Sequence, residues 1–263
     1  MKPTIGSLFA GIGGIDKGFE DAGFECKWQV EIDDDSTDVL NKNFPHVEKF
    51  RDARMFPPRP ESPWLSGTWS RQFKVDGIVG GFPCQPHSVG GLRKGKDDER
   101  DMWGEFFRII CEIRPSFVLC ENVVGILSTD SGRFFGGILR DLSKAGYDAE
   151  WHTVSAADFG TPHLRERVFI VAYASGARRK RLVTNKCTSK SAKTPFAVDR
   201  HRSAAEWLEM VRHRLPVRNC DGIRAGLVRR CIKQCGNAVV PVVAEHFARY
   251  LFDFVTENKN VEV

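Results

Sequence analysis

The feature that most constrains the fold is a glycine-rich turn between a short apolar strand and a helix near the N-terminus. The sequence predicts the strand at residues 4–9 and the helix at residues 15–22, with Gly11, Gly13 and Gly14 between them. Glycine permits a tight turn and lets a ligand approach the backbone beside the N-terminus of the helix. This arrangement predicts an α/β fold with a ligand site at the turn.

The alternation of apolar strands and helices continues along the first two thirds of the chain. Further strands are predicted at 25–31, 47–50, 75–79, 116–121, 147–155 and 168–172, and further helices at 34–43, 101–113, 133–145 and 239–254. Strands separated by helices indicate a mostly parallel sheet, which binds ligands beyond the carboxyl ends of its strands. The predicted units are a catalytic domain at 1–173, a short basic region at 174–228 and a C-terminal helical segment at 229–263.

Charge is distributed unevenly along the chain. Residues 174–235 carry a net charge of +12 and the other residues −7, which together give the +5 of the whole chain. This asymmetry favours a polyanionic partner for the basic stretch, although a solvated basic loop would have the same composition.

Composition also excludes several classes of protein. No apolar run reaches the ~18 residues of a membrane span, and we expect no signal peptide because an apolar strand begins almost at Met1. The eight cysteines are scattered without a CxxC spacing. We therefore expect a cytoplasmic protein with reduced thiols, and not a membrane protein or a secreted disulfide scaffold.

Two acidic residues follow predicted strands at the same edge of the sheet as the glycine turn. Glu31 ends the second strand, where a carboxylate can accept hydrogen bonds from ribose hydroxyls. Asp52 follows the third strand and could receive the exocyclic amino group of an adenine. The turn and the acids predict a cofactor that contains a nucleoside, with NAD and S-adenosylmethionine as the alternatives.

Four further residues could carry chemistry. Cys84 lies on a proline-flanked turn after the fourth strand, either as an accessible nucleophile or as an inert surface thiol. Glu121 ends an apolar strand, so we expect a partly desolvated carboxylate with a raised pKa, unless it caps a helix or pairs with an arginine. Arg165 and Arg167 point the same way in an extended segment, either to clamp a phosphate or base or as a solvated strand entry.

In their order along the chain these motifs resemble the DNA cytosine-5 methyltransferase family. The resemblance extends over about residues 5–172 and 229–250, and it includes Gly236-Asn237, which precedes the last helix. It implies a doubly wound, mostly parallel sheet of the S-adenosylmethionine-dependent methyltransferase type, with a small irregular basic lobe at 174–228 for target recognition. It also implies that the C-terminal helix returns to pack beside the first helix. The motifs are Phe-Ala-Gly-Ile-Gly-Gly, Glu31, Asp52, Gly-Phe-Pro-Cys-Gln, Glu-Asn-Val, Arg-Glu-Arg and Gly-Asn-Ala-Val-Val-Pro.

The resemblance implies a role for each of these residues. The Cys84 thiolate would add to C6 of a cytosine flipped out of DNA, so that C5 can take the methyl group. Glu121 would bind N3 and the exocyclic amine of that base, and Arg165 and Arg167 would fix the base and its phosphate. Phe9 would stack on adenine, and no metal is implied. The implied S-adenosyl-L-methionine pocket consists of Phe9, Gly11, Gly13, Gly14, Glu31, Asp52, Pro83 and Asn237.

The resemblance leads us to expect a role in restriction-modification or in the protection of phage DNA. The expected partners are double-stranded DNA and a cognate restriction endonuclease, and we expect a monomer that does not associate with membranes. The alternatives are an RNA cytosine-5 methyltransferase, a catalytically weak remnant that binds nucleic acid, and an NAD-dependent oxidoreductase.

Overall fold

The computed structural model describes residues 2–58, 72–83, 102–161, 163–175, 234 and 237–259. Its strands are β1 (Thr4–Leu8), β2 (Glu25–Val30), β3 (Glu48–Phe50), β4 (Gly77–Gly80), β5 (Phe117–Val123), β6 (Tyr147–Ser155) and β7 (Glu166–Ala174). Its α-helices are α1 (Gly14–Asp21), α2 (Asp34–Asn43), α3 (Trp103–Ile113), α4 (Arg133–Lys144) and α5 (Pro241–Lys259). Short 3₁₀ turns lie at Ala53–Met55, Val124–Leu127, Thr129–Gly132 and Ala156–Phe159.

The described strands form one sheet in the order β3-β2-β1-β4-β5-β7-β6. The first five strands in this order are parallel, whereas β7 pairs antiparallel with both β5 and β6. The chain runs outward from β1 to β3 and then returns to the other side of β1 with β4. Ligands of open α/β sheets bind at such a reversal, beyond the carboxyl ends of the strands. The predicted α/β fold with a mostly parallel sheet is therefore confirmed.

Hydrophobic cores cover both faces of the sheet because side chains alternate along each strand. On β5, Phe117 and Leu119 belong to the core that includes residues of α1, α2 and α5. Val118 and Cys120 belong to the opposite core, which includes residues of α3 and α4. β5 is thus buried on both faces, as expected for a central strand.

Helix α5 lies directly against α1. A Cβ atom on Gly14 would lie 2.1 Å from the carbonyl oxygen of Val239, and one on Gly18 would lie 2.5 Å from that of Pro241. Glycine at these positions lets the two backbones approach more closely than any other residue would allow. The C-terminal helix therefore returns to the first helix, as the resemblance implies, and it brings Asn237 to the edge of the sheet that carries the glycine turn.

A buried polar cluster lies beneath the glycine turn. Asp16, in the first turn of α1, accepts hydrogen bonds from Gln29 Nε2 at 2.8 Å and from Ser7 Oγ at 3.1 Å, and the Cys26 thiol lies 3.6 Å away. The Asp16 side chain is fully buried, and burial raises the pKa of its carboxyl. The cluster ties α1 to β1 and β2 directly behind the turn.

Arg108 ties α3 to the turn that follows β3. Its Nη2 atom donates hydrogen bonds to the carbonyl oxygens of Ala53 at 2.8 Å and Phe56 at 2.7 Å. Its other nitrogens pair with Glu105 and Glu112 on α3 itself. These contacts hold the segment after β3 against the helix.

Within the described residues, no helix combines the length and the apolar composition that a bilayer span requires. The predicted basic region lies outside the described residues, except for its first two positions, and Cys84 also lies outside them. The predicted domain boundaries therefore stay predictions.

Candidate active site

A pocket of about 440 Å³ opens at the carboxyl ends of β1, β2, β4 and β5. This volume lies in the range of ligand-binding pockets, roughly 300–1,000 Å³. The pocket also lies where the chain reverses direction across the sheet. The predicted site residues that line it are Phe9, Gly11, Gly14, Glu31, Pro83, Glu121, Arg165, Arg167 and Asn237.

The glycine turn bends through three left-handed backbone positions. The φ angles are 53° at Phe9, 56° at Gly11 and 86° at Gly13. Phe9 is not a glycine, so its conformation carries about 1–2 kcal/mol of strain, and such strain commonly lies at functional sites. The Phe9 ring stacks on Phe106 of α3, with centroids 6.2 Å apart, and this packing holds it at the pocket wall.

Glu31 is held by two backbone amides. Gly11 N donates to its Oε2 at 2.7 Å and Asp33 N donates to its Oε1 at 2.8 Å. A carboxylate offers about four lone-pair sites, two on each oxygen. One site on each oxygen is therefore left to accept a hydrogen bond from a ligand, which fits the two adjacent hydroxyls of a ribose.

Gly13 and Asp52 are not among the described residues that line the pocket. A Cβ atom on Gly13 would lie 2.4 Å from the ring of Phe44, so the glycine is required for packing against α2. Asp52 forms an ion pair with Arg54 at 3.0 Å, and the hydrogen bonds from the Arg54 side chain hold the pKa of Asp52 below its usual range. Their predicted roles in cofactor binding stay predictions.

Glu121 lies near the end of β5, and its side chain is largely buried but still forms part of the pocket wall. Its Oε1 atom lies 3.0 Å from Arg167 Nε. Burial raises the pKa of the Glu121 carboxyl, and the charges of Arg167 and Arg165 offset this only in part. Glu121 is therefore the desolvated carboxyl that its place in the sequence predicts, and its ion-pair partner is itself a predicted site residue.

Arg165 and Arg167 reach the pocket from the beginning of β7. They are two residues apart in an extended segment, and both line the pocket. Burial lowers the pKa of Arg165, and the neighbouring charge of Arg167 lowers it further. Two arginines beside one carboxyl leave a local excess of positive charge, which suits a phosphate or the carbonyl of a pyrimidine.

Comparison with known families identifies the family of the chain. Residues 4–210 match the family model of the C-5 cytosine-specific DNA methylases. The chain belongs to this family.

Relatives of the chain agree with this assignment. The type II methyltransferase M.AquIA of Picosynechococcus sp. is 35% identical over 186 residues, which are 67% of this chain and 74% of M.AquIA. The type II methyltransferase M.Bsp6I of Bacillus sp. is 35% identical over 173 residues, which are 64% of this chain and 51% of M.Bsp6I. With M.Bsp6I, as with most of the curated relatives, the chain matches about half of the relative's length.

Solved structures show the same fold. A protein assigned as a DNA modification methyltransferase encoded within an E. coli prophage superposes with a TM-score of 0.54 at 30% identity, over 66% of this chain and 47% of that chain. DNMT2 of Spodoptera frugiperda superposes with a TM-score of 0.51 at 21% identity, over 68% and 52% of the two chains, which is a likeness of fold alone.

These findings confirm the family and the fold class predicted from the motifs. Enzymes of the family are DNA cytosine-5 methyltransferases that use S-adenosyl-L-methionine, so the predicted enzyme class and cofactor are confirmed at the level of the family. The roles of the individual site residues stay predictions, including that of Cys84, which lies outside the described residues.

Sequence reasoning missed two residues that shape the end of the pocket that contains Glu121. Asn122 donates from Nδ2 to the carbonyl oxygen of Phe82 at 3.1 Å, which fixes the segment that leads to Pro83. Gly81 gives Glu121 its space, because a Cβ atom at this position would lie 2.8 Å from Glu121 Oε2. Both residues belong to motifs that are visible in the sequence, but only the pairing of β4 with β5 shows what they contact.

Proposed function

We propose that this protein is a type II DNA modification enzyme, which transfers a methyl group from S-adenosyl-L-methionine to C5 of a cytosine in double-stranded DNA. One observation carries the proposal: a single pocket is lined both by Glu31 and by Glu121 with its two arginines. The carboxylate proposed to bind the nucleoside, Glu31, and the carboxyl of raised pKa, Glu121, thus line the same pocket. This is what a transfer between a cofactor and a base requires.

The described residues fit the cofactor. S-adenosyl-L-methionine, when bound, supplies an electrophilic methyl group on its sulfonium. Glu31 would accept hydrogen bonds from both ribose hydroxyls, because each of its oxygens retains one acceptor site. Phe9 would present its ring to the adenine, and the backbone at Gly11 and Gly14 allows a close approach. Asn237 and Pro83 complete the same wall of the pocket.

The other end of the pocket fits a cytosine. Burial raises the pKa of Glu121, which favours the protonated carboxyl, and in that form it would donate a hydrogen bond to N3 of the base. The other oxygen of Glu121 can then accept a hydrogen bond from the exocyclic amine. Arg165 and Arg167 would hold the carbonyl of the base or its phosphate. Protonation at N3 draws electrons from the ring and makes C6 a better electrophile.

Cys84 is the proposed nucleophile. It directly follows Pro83, which lines the pocket. Its thiolate would add to C6, so that the electron pair of the C5–C6 double bond can attack the methyl group. The bond between the methyl group and the sulfonium sulfur would break in the same step, which leaves S-adenosylhomocysteine. Loss of the C5 proton to solvent, return of the N3 proton to Glu121 and departure of the thiolate would then restore the C5–C6 double bond. Burial raises the pKa of the Cys26 and Cys120 thiols, which makes both of them poor nucleophiles.

The proposed substrate is duplex DNA with the target base flipped out. Flipping costs a few kcal/mol, and contacts with phosphates elsewhere can offset this cost. The basic stretch at residues 174–235, with its net charge of +12, is the proposed source of those contacts. A cognate restriction endonuclease, a monomeric state and a cytoplasmic location belong to the same proposal.

The proposal is tested by following labelled methyl groups from S-adenosyl-L-methionine into unmethylated genomic DNA and, in parallel, into tRNA. We expect incorporation into DNA, and bisulfite sequencing of the product then identifies the target sequence. Label in tRNA alone would establish the RNA enzyme instead. Label in neither substrate, from a protein that binds the cofactor, would indicate a remnant without catalytic activity.

Two cysteine variants test the mechanism. Cys84→Ser should abolish turnover and leave the affinity for S-adenosyl-L-methionine unchanged, because a serine hydroxyl is a much weaker nucleophile. Cys111→Ser, at a half-buried thiol on α3, is the matched control and should remain active. Methylation by Cys84→Ser at the wild-type rate would refute the assignment of the nucleophile.

A further inference from the structure

The turn between β2 and α2 forms one wall of the pocket. Glu31, Ile32 and Asp33 all line the pocket, and this turn carries the Glu31 carboxylate. Ile32 is 59% exposed, so apolar packing contributes little to the order of the turn. Its conformation therefore depends on hydrogen bonds.

Arg51 supplies several of these hydrogen bonds from the neighbouring strand. It directly follows β3, which pairs in parallel with β2. Its Nη2 atom donates to the carbonyl oxygen of Ile32 at 2.6 Å and pairs with the Asp34 carboxylate. Its Nη1 atom donates to Thr37 Oγ1, and Thr37 in turn donates to the carbonyl oxygen of Asp33 at 2.9 Å. One guanidinium thus contacts a backbone carbonyl of the turn and two side chains at the beginning of α2.

We propose that Arg51 is a positioning residue for the cofactor: it holds the turn at residues 31–34 in the conformation in which Glu31 binds the ribose. Arg51 itself is not among the described residues that line the pocket, so it acts through the turn. The inference deepens the proposed function and depends on it for the identity of the ligand.

Geometry, more than charge, supports this role. An exposed ion pair such as Arg51–Asp34 contributes little stability by itself. A planar guanidinium, in contrast, can serve a carbonyl, a hydroxyl and a carboxylate at once, which the ammonium of a lysine does less well. If the variant turn occupies the binding conformation only a fifth of the time, the apparent Kd rises about fivefold.

The experiment compares Arg51→Gln, Arg51→Lys and Lys27→Gln by calorimetry with S-adenosyl-L-methionine. Lys27 is the matched control, because it forms an exposed ion pair with Glu25 on β2 away from the pocket. We expect an approximately fivefold higher Kd for Arg51→Gln, about twofold for Arg51→Lys, and no change for Lys27→Gln. Melting temperatures of the three variants are measured alongside, and a higher Kd for Arg51→Gln without a lower melting temperature separates positioning from a merely structural role.

A double-mutant cycle and hydrogen exchange complete the test. Arg51→Gln should add little to the loss caused by Glu31→Ala, because both variants act on one contact with the ligand. In protein without cofactor, Arg51→Gln should also speed exchange of the Gly11 and Asp33 amides, which donate to Glu31.

The outcomes separate this inference from the proposed function. Unchanged amide exchange in Arg51→Gln would overturn the inference, and so would a full additional loss of affinity in the Glu31→Ala background. If exchange is faster but the wild-type protein binds no S-adenosyl-L-methionine, the contact between Arg51 and the turn stands and the proposed function is wrong.

Discussion

Gly81→Ala is expected to slow methyl transfer without unfolding the protein. The new Cβ atom would lie 2.8 Å from Glu121 Oε2, whereas ordinary contacts of this kind begin at 3.4 Å. Either Glu121 or the backbone at Gly81 must therefore move by about 0.6 Å, the difference between these distances. Glu121 is paired with Arg167 at 3.0 Å, so a movement of its carboxylate away from Gly81 disturbs this ion pair and shifts the carboxylate within the pocket.

Either movement changes the position of a group that the proposed mechanism assigns to the reaction. In the proposed mechanism Glu121 holds the cytosine, and the segment that follows Gly81 carries the nucleophile. A misplacement of 1 Å can lower a rate about 100-fold, so a shift of about 0.6 Å predicts a loss of roughly tenfold. The assay is a single-turnover measurement of methyl transfer to DNA at saturating S-adenosyl-L-methionine.

Gly136→Ala is the matched control. Gly136 lies in the interior of α4, and a Cβ atom there would meet no atom within 4 Å. This variant should keep the wild-type rate and gain about 1 kcal/mol of stability, because alanine favours helix more than glycine does. A Gly81→Ala protein that melts like the wild type and transfers methyl groups at the wild-type rate would refute the argument.

Three further predictions concern ionisation and packing. Because burial raises the pKa of Asp16, the stabilisation from its protonated carboxyl is complete below the ordinary pKa of aspartate and is lost as pH rises through the raised pKa. Asparagine does not ionise, so the melting temperature of Asp16→Asn relative to that of the wild type should be higher at pH 7.5 than at pH 4.5. Arg167→Gln should raise the pKa of Glu121 further in a carbon-13 NMR titration, since it removes a cation that favours the ionised form. Arg140→Gln, on the exposed face of α4, is the control and should leave this pKa unchanged. Arg108→Met should lower the free energy of unfolding by about 2 kcal/mol in a denaturant titration, because two backbone carbonyls lose a charged donor; a change below about 0.5 kcal/mol would contradict this.

The cofactor end of the pocket could be predicted from the sequence because its determinants are local. Gly11 and Glu31 follow two strands that are consecutive in the chain and adjacent in the sheet, so their spacing encodes their contact. Asp52 shows the limit of this reasoning. It occupies the predicted place after β3, yet its carboxylate is paired with Arg54, only two residues further along the chain. Spacing places a residue at an edge but does not indicate which neighbour its side chain prefers.

Contacts between elements distant in sequence could not be predicted in this way. Arg51 follows a weak, short strand, and nothing in its local pattern distinguishes it from a solvated arginine. Its role becomes visible only when β3 is placed beside β2. Gly81 is a similar case. A glycine before Phe82 could be required for several reasons, and only the 2.8 Å distance from a Cβ atom at this position to Glu121 Oε2 identifies the one that applies.

The direction of β7 decides whether the arginines can take part in the reaction at all. Arg165 and Arg167 lie at the amino end of β7, whereas Glu121 lies near the carboxyl end of β5. In a wholly parallel sheet these groups would lie at opposite edges, about the length of a strand apart. Because β7 is antiparallel to β5, Arg167 instead lies opposite Val123 and diagonal to Glu121, on the same face of the sheet. The sequence predicts both motifs and a mostly parallel sheet, but it leaves the direction of this one strand open. The proposed catalytic constellation therefore depends on a feature of topology that no motif in the chain specifies.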